Sequence, residues 1–178
     1  AGVARGRGGA TAGAGAAMAW ANRIGALGVR HSNVTLGDSH GVVTIYREDI
    51  NRMKREFATT RKISTLAEAV EGADVFLGVS KADTLKPEML RTMAANPIVM
   101  ALANPDPEIA YETAMASRPD IIFATGRSDY PNQVNNVPGF PSHLPGAPDV
   151  RAPMIYSALP LAADQLRAAL HRHPVPPA

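Results

Sequence analysis

The chain contains no cysteine. That excludes a disulfide framework and a thiolate metal site, and it fits a reducing compartment. Aromatic residues are scarce, at 5% with a single Trp, so a core must come from Ala, Val, Leu, Ile and Met, a set suited to layered helices and sheet. No apolar run approaches the roughly 18–20 residues needed to cross a bilayer, and the first residues lack the charged head and apolar stretch of a secretory signal. The expectation is a soluble, cytoplasmic protein with no membrane partner. A dominant charge is also missing. The net charge is +2, with ten Lys or Arg against four acids over residues 1–62 and eight against twelve beyond. A nucleic-acid surface needs basic residues interleaved with stacking aromatics or set in a binding motif. Neither is present, so the basic front reads as a solvated face, with attraction to a phosphorylated cofactor as its other use.

What the 178 residues do contain is alternation. Short apolar runs ending in "GDS", "GVS", "ANP" and "TGRSD" are separated by helical patterns, as expected for βαβ units and a parallel sheet. Ala17, Trp20, Ile24 and Leu27 predict a helix from Ala16 to Leu27, with Gly28 placed to end it. A charged helix is expected over Glu48–Ala58. Thr65 with Glu68 reads as a capping box, and Pro87 as a first-turn proline. Leu159, Ala162, Leu166 and Leu170 give a last helix beginning near Pro160. The expected fold is α/β, three-layer and Rossmann-type, with a mostly parallel sheet whose first strand is weak or missing. The domain is placed at 9–170, with disordered ends at 1–8 and 171–178.

In such sheets ligands bind beyond the carboxyl ends of the strands. "GAGAAM", from Gly13 to Met18, supplies two of three glycines of a dinucleotide fingerprint: Gly13 for a tight turn and Gly15 for close approach of a pyrophosphate to a helix N-terminus. Met18 stands where the third glycine would allow close packing. Asp38 ends the second strand run 25 positions after Gly13, near the offset at which an acid accepts from an adenosine ribose. The other reading of Asp38 is a turn residue in "GDSHG". The amide-rich run after Ile121-Ile122-Phe123 reads as a ligand wall or, alternatively, as a polar surface loop.

"GADVFLGVS", "LANPDPEI" and the thirteen-residue "ATGRSDYPNQVNN" together resemble the cofactor domain of malic enzyme, the divalent-metal and NAD(P)-dependent oxidative decarboxylase of malate, in its bacterial form. The resemblance runs from about Gly9 to about Leu170. It implies cofactor contacts from Gly13, Gly15, Ala16, Ala17, Asp38, Ser39, Ser80 and Asn104, and substrate contacts from Asn104, Asn135 and Asn136. It also implies NAD or NADP as cofactor, Mg2+ or Mn2+ as metal, malate and pyruvate as small-molecule ligands, and a homo-oligomer.

The acid/base Lys and Tyr and the acidic metal ligands that the resemblance implies belong upstream of the glycine turn. No catalytic residue is therefore assigned here, and Lys81, Lys86, Asp129, Tyr130, His171 and His173 are left out of such roles. Pro138, Pro145 and Pro148 interrupt a passage where the family is more helical. The alternatives are a non-catalytic nucleotide-binding or regulatory module and another Rossmann dehydrogenase. Asp38 argues for a free ribose hydroxyl, His40 and the basic front for a 2′-phosphate, and the two hints conflict.

Overall fold

The structure is a computed structural model that describes residues 2–6 and 12–134. Its elements are β1 (Gly2–Gly6), α1 (Ala12–Ala26), β2 (Val34–Asp38), β3 (Gly41–Val42), α2 (Arg52–Arg55), α3 (Leu66–Val70), β4 (Val75–Val79), α4 (Pro87–Thr92), β5 (Ile98–Ala101), α5 (Tyr111–Ser117) and β6 (Ile122–Thr125). They form a six-stranded sheet in the order β3-β2-β1-β4-β5-β6. Five strands are parallel, and the short β3 returns antiparallel along β2. The chain goes one way from β1 to β2 and the other way to β4, which creates a topological switch point between β1 and β4.

Strand periodicity divides the core between two faces. Phe76, Val99, Ala101 and Phe123 point to one side, where they meet Ala69, Val70, Leu85, Leu90, Ile109 and Ala114. Leu36 and Leu77 point to the other, where they meet Ala17, Met18 and Ala21 of α1 together with Val43, Ile50 and Phe57. Successive residues Phe76 and Leu77 thus serve opposite faces. Burying side chains of this size stabilises by about 1.5–3 kcal/mol each. The three layers expected from the sequence are present.

Local rules account for most element ends. Thr65 accepts from the Glu68 amide while the Glu68 side chain accepts from the Thr65 amide, completing the capping box, and Pro87 opens α4. At the end of α1, the Gly28 amide donates to Gly25 and the Val29 amide to Ile24, with Gly28 at φ +99°. This is a Schellman termination, which only a residue tolerant of positive φ completes without strain.

Three elements differ from expectation. The first strand is present as Gly2–Gly6 and is the central strand, paired with β2 on one side and β4 on the other. Two backbone ladders supply what a weakly apolar sequence does not. Helix α1 starts at Ala12, four residues early, so Gly13 and Gly15 lie within its first turns and Gly13 is not a tight-turn residue. The charged helix contracts to Arg52–Arg55 because Asn51 caps it, accepting from the Lys54 amide at 2.9 Å. The preceding Arg47–Asp49 segment is held by ion pairs instead. Asn135, Asn136, Pro138, Pro145, Pro148 and the helix expected near 159–170 lie outside the described residues.

Candidate functional site

Because β1, β2, β4, β5 and β6 are parallel, their carboxyl ends share one edge of the sheet. Gly15, Asp38, Ser80 and Asn104 come from segments that begin or end at this edge. Gly15 is exposed, and a Cβ added there would meet no heavy atom within 4 Å. Glycine in a helix costs roughly 1 kcal/mol relative to alanine, and packing within the described residues gives no reason for it. The space above Gly15 and the absence of any acid in the first turn of α1 suit an anionic group approaching the helix start. The dinucleotide expectation therefore fits the residues present. Ala16 is exposed beside Gly15, whereas the Ala17 side chain is fully buried and belongs to the core. Met18 fills that core in place of the third glycine.

Asp38 ends β2 and is 2% exposed. Its Oδ1 accepts from the His40 amide and from Arg47 Nη1, each at 2.9 Å. Its Oδ2 accepts from Lys54 Nζ at 2.7 Å and Arg47 Nη2 at 3.3 Å. Burial pushes the Asp38 carboxyl up, but the hydrogen bonds from Arg47, Lys54 and His40 and the Arg47 charge outweigh it and hold the pKa at about 2. Arg47 carries a second carboxylate on its outer edge. Its Nε donates to Asp49 Oδ1 at 2.8 Å and its Nη2 to Asp49 Oδ2 at 2.6 Å. The bonds to Asp49 and Asp38 raise the guanidinium pKa further. Ser39 and His40 are exposed beside this cluster.

At the ends of β4 and β5 the organising residue is Glu108, which is fully buried. Its Oε1 accepts from the Ser80 amide at 2.8 Å and the Ser80 hydroxyl at 3.2 Å, and its Oε2 from the Ala103 amide at 3.1 Å. One carboxylate thereby ties the loop after β4 to the loop after β5, directly beneath Ser80 and beside Asn104. Asn104 is exposed and precedes a cis peptide bond to Pro105. The sequence analysis gave Glu108 no role. The available signal was Gly78 inside the apolar run "VFLGV". A Cβ there would overlap the Glu108 carboxyl, and glycine within a strand marks such an approach.

Beyond β6 the polar run folds back on the sheet. Asn132 Nδ2 donates to the Phe123 carbonyl at 3.0 Å, the Val134 amide to the Thr125 carbonyl at 2.7 Å, and the Arg127 amide to the Thr125 hydroxyl at 3.2 Å. Arg127 is paired with Asp129 through two contacts of 2.9 and 2.6 Å. Tyr130 stacks on Tyr111 with ring centroids 5.2 Å apart. Asp129 and Tyr130 are thus used in building the loop. Asn135 and Asn136, the expected substrate contacts, fall outside the described residues. A cavity of about 450 Å³ between Trp20, Ile24, Val29, Asn33 and Asp74 lies at the opposite edge, where β2 and β4 begin. Among the described residues no three His, Asp or Glu side chains stand close enough to hold a metal ion, and no helix is long and apolar enough to cross a membrane.

Comparison with known proteins identifies the family. The family model described as malic enzyme, NAD binding domain, matches residues 3–171. The chain belongs to the malic enzyme NAD-binding domain family. It is 50% identical over 163 residues to an NADP-dependent malic enzyme of Halomonas elongata, covering 92% of this chain and 39% of that protein. It is 46% identical over 158 residues to an NAD-dependent malic enzyme of Rhizobium meliloti, covering 88% of this chain and 20% of that protein. Among solved structures, Entamoeba histolytica malic enzyme superposes with a TM-score of 0.84 at 34% identity, over 98% of this chain and 37% of the other. The chain thus spans well under half the length of these malic enzymes, and its nucleotide-binding part is what it shares with them.

Proposed function

We propose that this chain provides the dinucleotide-binding part of an enzyme that converts malate to pyruvate and carbon dioxide while reducing NAD or NADP. The observation that carries the proposal is the gathering of the Gly15 helix start, Asp38, Ser80 and Asn104 on the carboxyl edge of a sheet with a switch point between β1 and β4. The NADP- and NAD-dependent malic enzymes to which the chain is similar support the same reading.

In this reading the first turn of α1, with Gly13 and Gly15, meets the pyrophosphate, and open space at Gly15 admits its close approach. The end of β2, Asp38 with Ser39, faces the adenosine ribose. Ser80 and Asn104 border the nicotinamide half, where Asn104 presents a neutral amide to a substrate carboxylate; Asn135 and Asn136 lie outside the described residues. The nicotinamide, when bound, supplies the hydride acceptor. The described residues offer no site for Mg2+ or Mn2+, so no metal step is assigned to them. A cytoplasmic homo-oligomer is the setting we infer for the whole protein.

Calorimetric titration of the folded chain with NAD and NADP tests the cofactor role. Saturable binding of at least one dinucleotide is expected, and an Asn104→Ala change is expected to weaken nicotinamide-containing ligands while sparing adenosine phosphates. No heat with either dinucleotide in a sample shown folded by circular dichroism would defeat the proposal.

A further inference from the structure

Ser80 and Asn104 lie on different loops, yet one side chain holds both loops. We propose that Glu108 is a positioning residue of the rim: fully buried and out of reach of any ligand, it locks the loops after β4 and β5 into one unit. The nicotinamide half of a dinucleotide is then received at a spacing that Glu108 sets, and the adenosine half is not. The inference rests on the cofactor reading above and adds to it the residue that fixes one half of the site.

Strands β4 and β5 pair in register as far as Gly78 and Ala101, and the Leu102 amide still donates to the Gly78 carbonyl at 2.9 Å. The amides of Ser80 and Ala103, next along the two chains, take Glu108 as their acceptor. Its Oε1 lies 2.8 Å from the Ser80 amide and its Oε2 3.1 Å from the Ala103 amide. An ionised carboxylate offers two acceptor oxygens on one side chain, whereas a glutamine offers one. The same residue closes the other end of the loop after β4, because its own carbonyl accepts from the Leu85 amide at 3.0 Å. Ser80, Leu85 and Ala103 are thereby held to a single point.

Room for the carboxylate is built into the strand, since a Cβ at Gly78 would overlap it. Letting go of either loop would leave a buried amide without an acceptor. Ala103 is 7% exposed and its neighbour Asn104 is exposed, so a buried bond places a side chain that a ligand can reach. At the adenosine end, Asp38 is bound by the His40 amide, Arg47 and Lys54, a set that shares no residue with the Glu108 cluster. Loss of Glu108 is therefore felt at one end of the dinucleotide only.

Two measurements on the 178-residue chain test this role. Native-state hydrogen exchange needs no variant: the Ser80 and Ala103 amides are expected to open together, with equal protection, as members of one unit. Calorimetric titration with NAD, NADP, ADP-ribose and adenosine 5′-monophosphate then compares the parent with two variants. Glu108→Gln keeps size and loses an acceptor, and Glu108→Asp keeps the charge but is one methylene too short to reach both loops. In samples shown folded by circular dichroism, both variants are expected to bind NAD and NADP about tenfold more weakly, the size of one lost hydrogen bond at the nicotinamide end, and to bind ADP-ribose and the monophosphate within about twofold of the parent. A residue that only stabilised the fold would shift all four ligands alike. Where a variant does not fold, the exchange result decides. Equal losses for all four ligands, unchanged dinucleotide affinity in either variant, or Ser80 and Ala103 amides that exchange independently would overturn the inference while leaving the cofactor reading intact. Failure of both dinucleotides to bind the folded parent would remove the cofactor reading, and the positioning role with it.

Discussion

Glu108 is the residue whose replacement tests the architecture of the rim most directly. It is fully buried and receives three donors, two on Oε1 from Ser80 and one on Oε2 from Ala103. Glu108→Gln preserves size but turns one acceptor into a donor. In its better orientation the amide oxygen keeps Ser80, and the new NH2 faces the Ala103 amide, donor against donor. A buried amide left without an acceptor costs about 1–3 kcal/mol, and exchanging charged for neutral hydrogen bonds at Ser80 costs about 1 kcal/mol more. The expected loss is about 2–4 kcal/mol. Glu108→Ala strands both amides and opens a cavity, so its loss is expected to reach about 3–6 kcal/mol. Urea denaturation followed by circular dichroism reads these differences as shifts in midpoint at constant slope. Gly78 provides an internal check, because a Cβ at that position overlaps the Glu108 carboxyl. Gly78→Ala alone is destabilising, but with Glu108→Ala the methyl enters vacated space, so the double variant should be more stable than the sum of single losses predicts by at least 1 kcal/mol. A Glu108→Gln protein within 0.5 kcal/mol of the parent, or strictly additive losses in the double variant, would refute this account of the rim.

Three further outcomes follow from particular contacts. The folded pKa of Asp38, about 2, lies below the ordinary value of 3.8, so its ion pairs stabilise fully above the ordinary carboxylate range and are lost as pH falls toward 2. The contribution is about 2.5 kcal/mol, and denaturation midpoints between pH 6 and pH 2.5 should show this acid-dependent component in the parent and not in Asp38→Asn. Arg118 donates to the carbonyls of Leu90, Met93 and Ala94 at 2.9, 2.8 and 2.6 Å, closing the end of α4; Arg118→Met should cost about 2–3 kcal/mol and speed amide exchange in α4. Gly28→Ala meets no neighbouring atom, yet forces alanine to φ +99°, so a cost of about 1–2 kcal/mol from backbone strain alone is expected as a lowered melting temperature.

The parallel strands were legible because β2, β4, β5 and β6 each present an apolar run stopped by small or polar residues, and two sheet faces require that pattern. β1 was not legible, since a central strand can be held by its neighbours' ladders with little apolar signal of its own. The contraction of the expected charged helix to Arg52–Arg55 has a related cause. Propensity reads charged residues as an exposed helix, whereas Arg47 and Lys54 are drawn to Asp38 across 9 and 16 positions. Asp38 itself was visible in the sequence, but its partners are set by the return of the chain along β3 and through α2. Glu108 lies 28 positions from Ser80, and that pairing exists only once β4 and β5 are side by side.

The two buried carboxylates of the rim solve the same problem by different means, and the difference bears on function. Asp38 is compensated mainly by cations, Arg47 and Lys54, so the end of β2 is held by charge. Glu108 is compensated by two backbone amides and a hydroxyl, so the loops after β4 and β5 are held by directed hydrogen bonds. A charge-held cluster tolerates changes in geometry, because Coulomb attraction falls off slowly with distance. A cluster locked by amides does not, since each displaced amide would be buried without a partner. The rim is therefore more tolerant of rearrangement at the end of β2 than beneath Ser80 and beside Asn104, where Glu108 fixes two loops against each other.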